Sequence, residues 1–137
     1  MTQQAAVNDI LRVITRKSIS PGQITLYKAL YEAGKPGLSK SELAAKIREK
    51  DEVSLTGVLG ALGNRVNQTD GLKTQEKGLA LLIKKEKVHG ELHYRMRSEL
   101  RKAIESLPQL REAINLTAGK IYAKYRNKKN WLKIKRI

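Results

Sequence analysis

The sequence contains no cysteine and no phenylalanine, one tryptophan, three prolines and two histidines in 137 residues. The missing cysteine excludes disulfides and thiolate metal sites, and says nothing further about compartment. Aromatic scarcity leaves aliphatic side chains to build a small, mostly helical core, enough for one domain with extensions. No apolar run approaches the roughly 20 residues of a membrane-spanning helix. The start, MTQQAAVND, lacks the basic and apolar stretches of a secretory signal. A cytoplasmic protein without a membrane partner is therefore expected.

Catalytic signals are equally scarce. The two histidines, His89 and His93, sit four apart across an expected hairpin turn, which is not the geometry of a helical metal pair. No Asp or Glu is followed two places later by Lys, so the acid-x-Lys core of many metal-dependent nucleases is missing. The repeat Gly57-x-x-Gly60-x-x-Gly63 has the wrong spacing for a dinucleotide fingerprint and lies inside a helix. Gly34-Lys35 lacks the flanking residues of a P-loop. The expectation is a protein that is not an enzyme, with no cofactor and no metal.

Positive charge, by contrast, is abundant. The chain has 28 Lys and Arg against 13 Asp and Glu, a formal net charge of +15. Such an excess favours a polyanionic partner through salt-dependent attraction that is indifferent to sequence. From residue 113 onward there are only cations (Lys120, Lys124, Arg126, Lys128, Lys129, Lys133, Lys135 and Arg136) and no acid.

Apolar spacing divides the chain into helices. Residues 5–17 carry Val7, Ile10, Leu11 and Ile14 on one face. Ser20-Pro21-Gly22-Gln23 restarts a helix with a Ser cap, Pro at the first position and Gln as capping-box partner. Its apolar side is Ile24, Tyr27, Leu30 and Tyr31, and Gly34-Lys35-Pro36-Gly37 ends it.

Leu38 to Asn67 reads as two short helices joined by the polar turn Glu49-Lys50-Asp51-Glu52. Ser39 with Glu42 forms a capping box ahead of Leu43, Ala44 and Ile47. The second helix starts at Ser54 and buries Leu55, Val58, Leu59, Leu62 and Val66. Its other face holds Gly57, Gly60, Ala61, Asn64, Asn67 and Gln68. Glycine inside a helix costs about 1 kcal/mol relative to alanine, so three of them need a reason. A smooth amide-bearing face suits a DNA major groove, where Asn and Gln pair with the adenine edge. Close packing on a neighbouring helix is the other reading, and each can hold at a different end.

Asn67 to Gly71 reads as a helix exit. Downstream, Leu92, Tyr94 and Met96 alternate with His93, Arg95 and Arg97, the period of a half-buried strand, and Gly90 marks a tight hairpin turn. Ser98 to Leu107 forms a helix with Leu100, Ala103, Ile104 and Leu107 inward. Pro108 starts another that runs to about Asn127, with Leu110, Ile114, Ile121 and Tyr125 along one side. That helix either packs back on the domain or seats a partner helix in a homodimer. In the tail, Trp131, Leu132 and Ile134 interleave with lysines, which fits a short strand, exchanged or not, an arm on nucleic acid, or a disordered end.

From Ser20 to Leu107 the chain resembles the winged helix-turn-helix DNA-binding superfamily. LSKSELAAKI stands as positioning helix, SLTGVLGALGNRVNQ as recognition helix and LLIKKEKVHGELHYRM as wing. The resemblance implies a mainly α (α+β) fold with a two-stranded β-hairpin wing and extra N- and C-terminal helices. The expected division is an N-terminal helix (1–19), a winged-helix domain (20–107) and a C-terminal helix with basic tail (108–137). It implies double-stranded DNA as partner, with the recognition helix in the major groove and a role in transcription regulation or DNA organisation. Glycines stand where Arg, Ser or Thr more usually reach bases, so the implied binding is sequence-tolerant or modestly specific. Thr56, Gly57, Gly60, Asn64, Arg65, Asn67 and Gln68 are expected at the groove. Lys84, Lys85, Lys87 and His89 are expected on phosphates from the wing, and Lys40 and Lys46 as braces. Lys128, Lys129, Lys133, Lys135 and Arg136 would add non-specific affinity. An RNA-binding, ribosome-associated protein and a winged-helix protein-interaction module remain the alternatives.

Overall fold

The computed structural model describes residues 3–47 and 54–135. Helix α1 (Gln3–Arg16) turns Val7, Ile10, Val13 and Ile14 inward and packs on α5 (Ser98–Glu105). Helix α2 (Pro21–Ala33) is the centre of the fold. Every residue from Gly22 to Tyr27 is buried, not one apolar side alone, as befits a helix covered all round. Its neighbours are α3 (Lys40–Ile47), α4 (Leu55–Asn67), α6 (Pro108–Ile114) and α7 (Ala118–Tyr125). The Tyr122 hydroxyl donates to Ile47 O and lies 3.2 Å from Thr25 Oγ1, which ties α7, α3 and α2 together.

The expected capping box at α3 forms in both directions. Glu42 N–H donates to Ser39 Oγ at 3.1 Å, and Ser39 N–H donates to the Glu42 carboxylate at 2.9 Å. These bonds, the backbone one foremost, hold the Glu42 carboxyl below the usual carboxylate range. Just before it, Leu38–Ser39 forms β1, a strand that sequence periodicity could not reveal at two residues. With β2 (Ile83–Val88) and β3 (Glu91–Met96) it makes a three-stranded antiparallel sheet in the order β1-β3-β2. The sheet thus has one strand more than the hairpin expected. His89 (φ 51°) and Gly90 (φ 79°) supply the left-handed pair that a two-residue type I′ turn demands. At Gly37, φ is 67° and a Cβ would stand 2.3 Å from Tyr94 O, so only glycine lets this loop lie on β3.

The C-terminal region differs from the single helix expected. It breaks at Asn115–Thr117 into α6 and α7, and Thr117 Oγ1 caps α7 by accepting from Lys120 N–H at 3.3 Å. Leu110, Ala113, Ile114, Ile121, Tyr122 and Tyr125 are all buried. The apolar stripe that could have seated a partner helix is covered by the protein's own core. The tail is docked too: Ile19 and Leu132 exchange backbone hydrogen bonds of 2.7 and 3.0 Å, and Leu132 and Ile134 are buried. One apolar cluster contains residues from Val7 to Ile134, so the flanking helices share the core of the middle segment. The arrangement is mainly helical with a small open sheet, winged-helix-like in general terms. Among the described residues no helix is long and apolar enough to cross a membrane.

Candidate nucleic-acid interface

Helix α4 begins where Ser54 caps it, its Oγ accepting from Gly57 N–H at 3.0 Å. Thirteen residues at 1.5 Å each give a rod of about 20 Å. Leu55, Val58, Leu62 and Val66 point into the core. Thr56, Gly57, Gly60, Ala61, Asn64, Asn67 and Gln68 are exposed, the composition expected of the outer face.

The three glycines have different causes. A Cβ at Gly63 would lie 3.4 Å from Leu79 N, because the 3₁₀ turn Gly78–Leu81 packs against that side of α4. A Cβ at Gly57 would stand 2.9 Å from the capping Ser54 Oγ. At Gly60 a Cβ would meet nothing within 4 Å. Close internal packing therefore explains the inner end of the pattern, and Gly60 has no intramolecular reason.

Two expected contacts are engaged within the protein. Arg65 is buried: its guanidinium donates to Val13 O (3.3 Å), Lys17 O (3.0 Å) and Ser18 O (2.6 Å) at the C-terminal end of α1. Burial lowers its pKa, the nearby Tyr27 acting in the other direction. Committed to three carbonyls, Arg65 drops out of the candidate interface. Asn67 remains exposed, but its Oδ1 accepts from Gly78 N–H at 2.8 Å, so it fastens α4 to the 3₁₀ turn.

Sequence reasoning missed the flanks of α4. A cleft of about 280 Å³ brings Arg16 and Lys17 beside Ala61, Asn64 and Gln68. Arg16 and Lys17 are both exposed. Both belong to the end of α1 and its exit, some 50 positions away, and no local pattern links them to α4. Further toward the start of α4, on the same side, a groove of about 400 Å³ runs past Gly57 and Ala61 to Arg126 and Trp131. The two depressions meet at Gln23 and Ala61. One edge of the outer face of α4 is therefore bordered by Arg126 toward its start and by Arg16 and Lys17 toward its end.

The hairpin lysines do not share one surface. Strand register pairs Lys84 with Arg95 on one face, whereas Lys85 pairs with Tyr94 and Lys87 with Leu92 on the other. Lys84 lines a hollow with Lys35, Arg95 and Arg101 at the C-terminal end of α2. The groove beside Trp131 lies at the opposite end of that helix. Helix α2 is about 20 Å long, shorter than one turn of B-DNA (about 34–36 Å). His89 is exposed at the tip. Lys40 and Lys46 are exposed on α3. Lys128 and Lys129 are exposed in a 3₁₀ turn (Lys128–Asn130), with Lys128 Nζ 5.8 Å from the Trp131 ring centre. Exposed Lys133 and Lys135 alternate with buried Leu132 and Ile134, and Arg136 lies outside the described residues, as does the turn Glu49 to Glu52. Among the described residues no group of three or more His, Asp or Glu is placed to hold a metal ion.

Comparison with known proteins gives no match to any family model, to any curated protein or to any solved structure.

Proposed function

We propose that this protein binds double-stranded DNA by laying the outer face of α4 in the major groove. The observation that carries this reading is Gly60, exposed beside Asn64 and Gln68, with open space where a side chain would be. Asn64 and Gln68 offer amides for base edges, Thr56 and Gly57 approach the groove wall, and Arg16 and Lys17 hold phosphates. Lys40, Lys46, Lys84, Lys85, Lys87, His89 and the tail lysines add contacts that carry no sequence information. Few base-reading side chains against many cations make the binding tolerant of sequence, as suits a DNA-organising protein or a broad transcriptional regulator. The protein acts by binding, without catalysis or cofactor. A-form RNA keeps its major groove too deep and narrow for a helix, which disfavours that partner.

The test is a salt titration on duplex DNA and duplex RNA of equal length. DNA binding with a steep salt slope, weakened by Asn64→Ala, is expected. Removing Lys128 and Lys129 should flatten the slope by a little under one unit per lost phosphate contact, equally for all sequences. RNA binding as tight as DNA binding and indifferent to Asn64 would reject the groove-inserted helix. Absence of binding to either would favour the protein-interaction alternative.

A further inference from the structure

The tail is fastened to the segment that links α1 to α2, and that segment is fastened in turn to α4. Ile19 N–H donates to Leu132 O at 2.7 Å and Leu132 N–H donates to Ile19 O at 3.0 Å, an antiparallel bridge. One residue earlier, Ser18 O accepts from the Arg65 guanidinium of α4 at 2.6 Å. Successive carbonyls of an extended chain face opposite edges, so the link runs between the end of α4 and the tail. Paired strands lie about 4.8 Å apart, which sets the tail one such step beyond the link.

The tail also has a fixed side. Leu132 and Ile134 are buried, while half-buried Trp131 and exposed Lys133 and Lys135 alternate with them. With a period of two, those three fall on one side of the chain, and Trp131 lines the groove that passes Gly57 and Ala61 of α4. Lys133, one residue past the bridge, is held next to Ser18, one residue before it. In the chain Ser18 stands between Lys17, in the cleft at the end of α4, and Ser20, in the groove at its start. Lys133 therefore falls in the interval between Arg126 and the pair Arg16 and Lys17 along the same edge.

A helix with its side chains is about 10–12 Å across, and the major groove is about 12 Å wide. The phosphates of a duplex seated on α4 thus run just beyond its edges, beside the link and the tail. We propose that the docked tail is a fixed part of this edge, with Leu132 and Ile134 as positioning residues that hold Lys133 and Lys135 against those phosphates. The role rests on the seating of α4 in the groove described above. Lysines on a mobile arm would have to be ordered on binding, which opposes association. Here the burial of Leu132 and Ile134 orders them beforehand.

Four full-length proteins test this in duplex binding across a salt series, each well below its Tm. They are the parent, Lys133→Gln with Lys135→Gln, Leu132→Ser with Ile134→Ser, and all four substitutions together. Removing the two lysines should weaken binding at least about tenfold near physiological salt and flatten the slope by a little under two units. The serine pair keeps every charge, yet should weaken binding and flatten the slope to the same extent. The four substitutions together should cost no more than about threefold beyond either pair, a non-additivity that lost stability alone would not produce. Parental affinity in the serine pair would overturn the proposal, since a mobile tail would then suffice, and additive losses would overturn it too. Should the serine pair fail to fold, the lysine pair and ¹⁵N relaxation of the free parent decide. The Lys133 and Lys135 amides should be as rigid as those of α7, and mobile amides or an unchanged slope would sink the idea. Asn64→Ala, run alongside, keeps the two readings apart. Weakened binding there, with both tail pairs at parental affinity and slope, would refute the tail's role alone, and no duplex binding by the parent would refute both.

Discussion

Arg65 offers the sharpest separation between a residue that holds the fold and one that meets a partner. Its sequence position, one after Asn64 in a recognition-like helix, argues for DNA, whereas its guanidinium caps the end of α1 through Val13 O, Lys17 O and Ser18 O. A helix C-terminus has unsatisfied carbonyls and a partial negative charge, so a cation there is doubly favoured. Hydrogen bonds from a charged donor contribute about 1.5–3 kcal/mol each. Against the sum stands the desolvation of the buried guanidinium, which is also what lowers its pKa. For Arg65→Met, which keeps most of the apolar stem, a net loss of about 2–4 kcal/mol follows. In a domain of this size that corresponds to a fall in Tm of about 6–15 °C. Thermal unfolding by circular dichroism measures it, and duplex binding well below Tm should stay within about threefold of the parent, under 1 kcal/mol. An unchanged Tm with binding lost would refute the inward assignment.

Three further outcomes follow from individual contacts. Gly60→Ala should stabilise the protein by about 1 kcal/mol, since the helix gains propensity and the Cβ meets nothing, yet weaken duplex binding; a gain in both would show that nothing approaches this face closely. Asp9, buried, accepts from Lys73 N–H (3.0 Å) and Thr74 N–H (2.7 Å). Asp9→Ala should cost about 3 kcal/mol and speed amide exchange at those two positions first; uniform exchange rates would argue against the tether. Glu42 has a depressed folded pKa, so its capping box contributes fully above the unfolded value near 4.5 and is lost as pH falls through the folded value. The denaturation midpoints of the parent and Glu42→Ala should therefore converge in acid and separate toward neutrality, and the reverse trend would contradict the assignment.

Helix starts were the most legible part of the sequence, because caps act within three or four residues. Ser39 with Glu42, Ser54 and Ser20 each mark a start that the structure contains. The His89-Gly90 turn was legible for the same reason, since left-handed backbone favours few residues. The break between α6 and α7 had a local signal in Thr117, but the apolar stripe continued across it. What stayed hidden depends on contacts between distant segments. Arg65 reaches back to α1, Asp9 reaches forward to Lys73, Ile19 pairs with Leu132, and Arg16 and Lys17 border α4. Arg65 and Asp9 look like surface charges in one dimension. Only the packing turns them inward.

The central claim is that α4 itself meets the duplex, and amide chemical-shift mapping with a short duplex DNA tests it most directly. The expected result is perturbation of Thr56, Gly57, Gly60, Asn64 and Gln68 together with Arg16 and Lys17. Shifts confined to the hairpin and the tail, with the α4 signals unmoved, would contradict it.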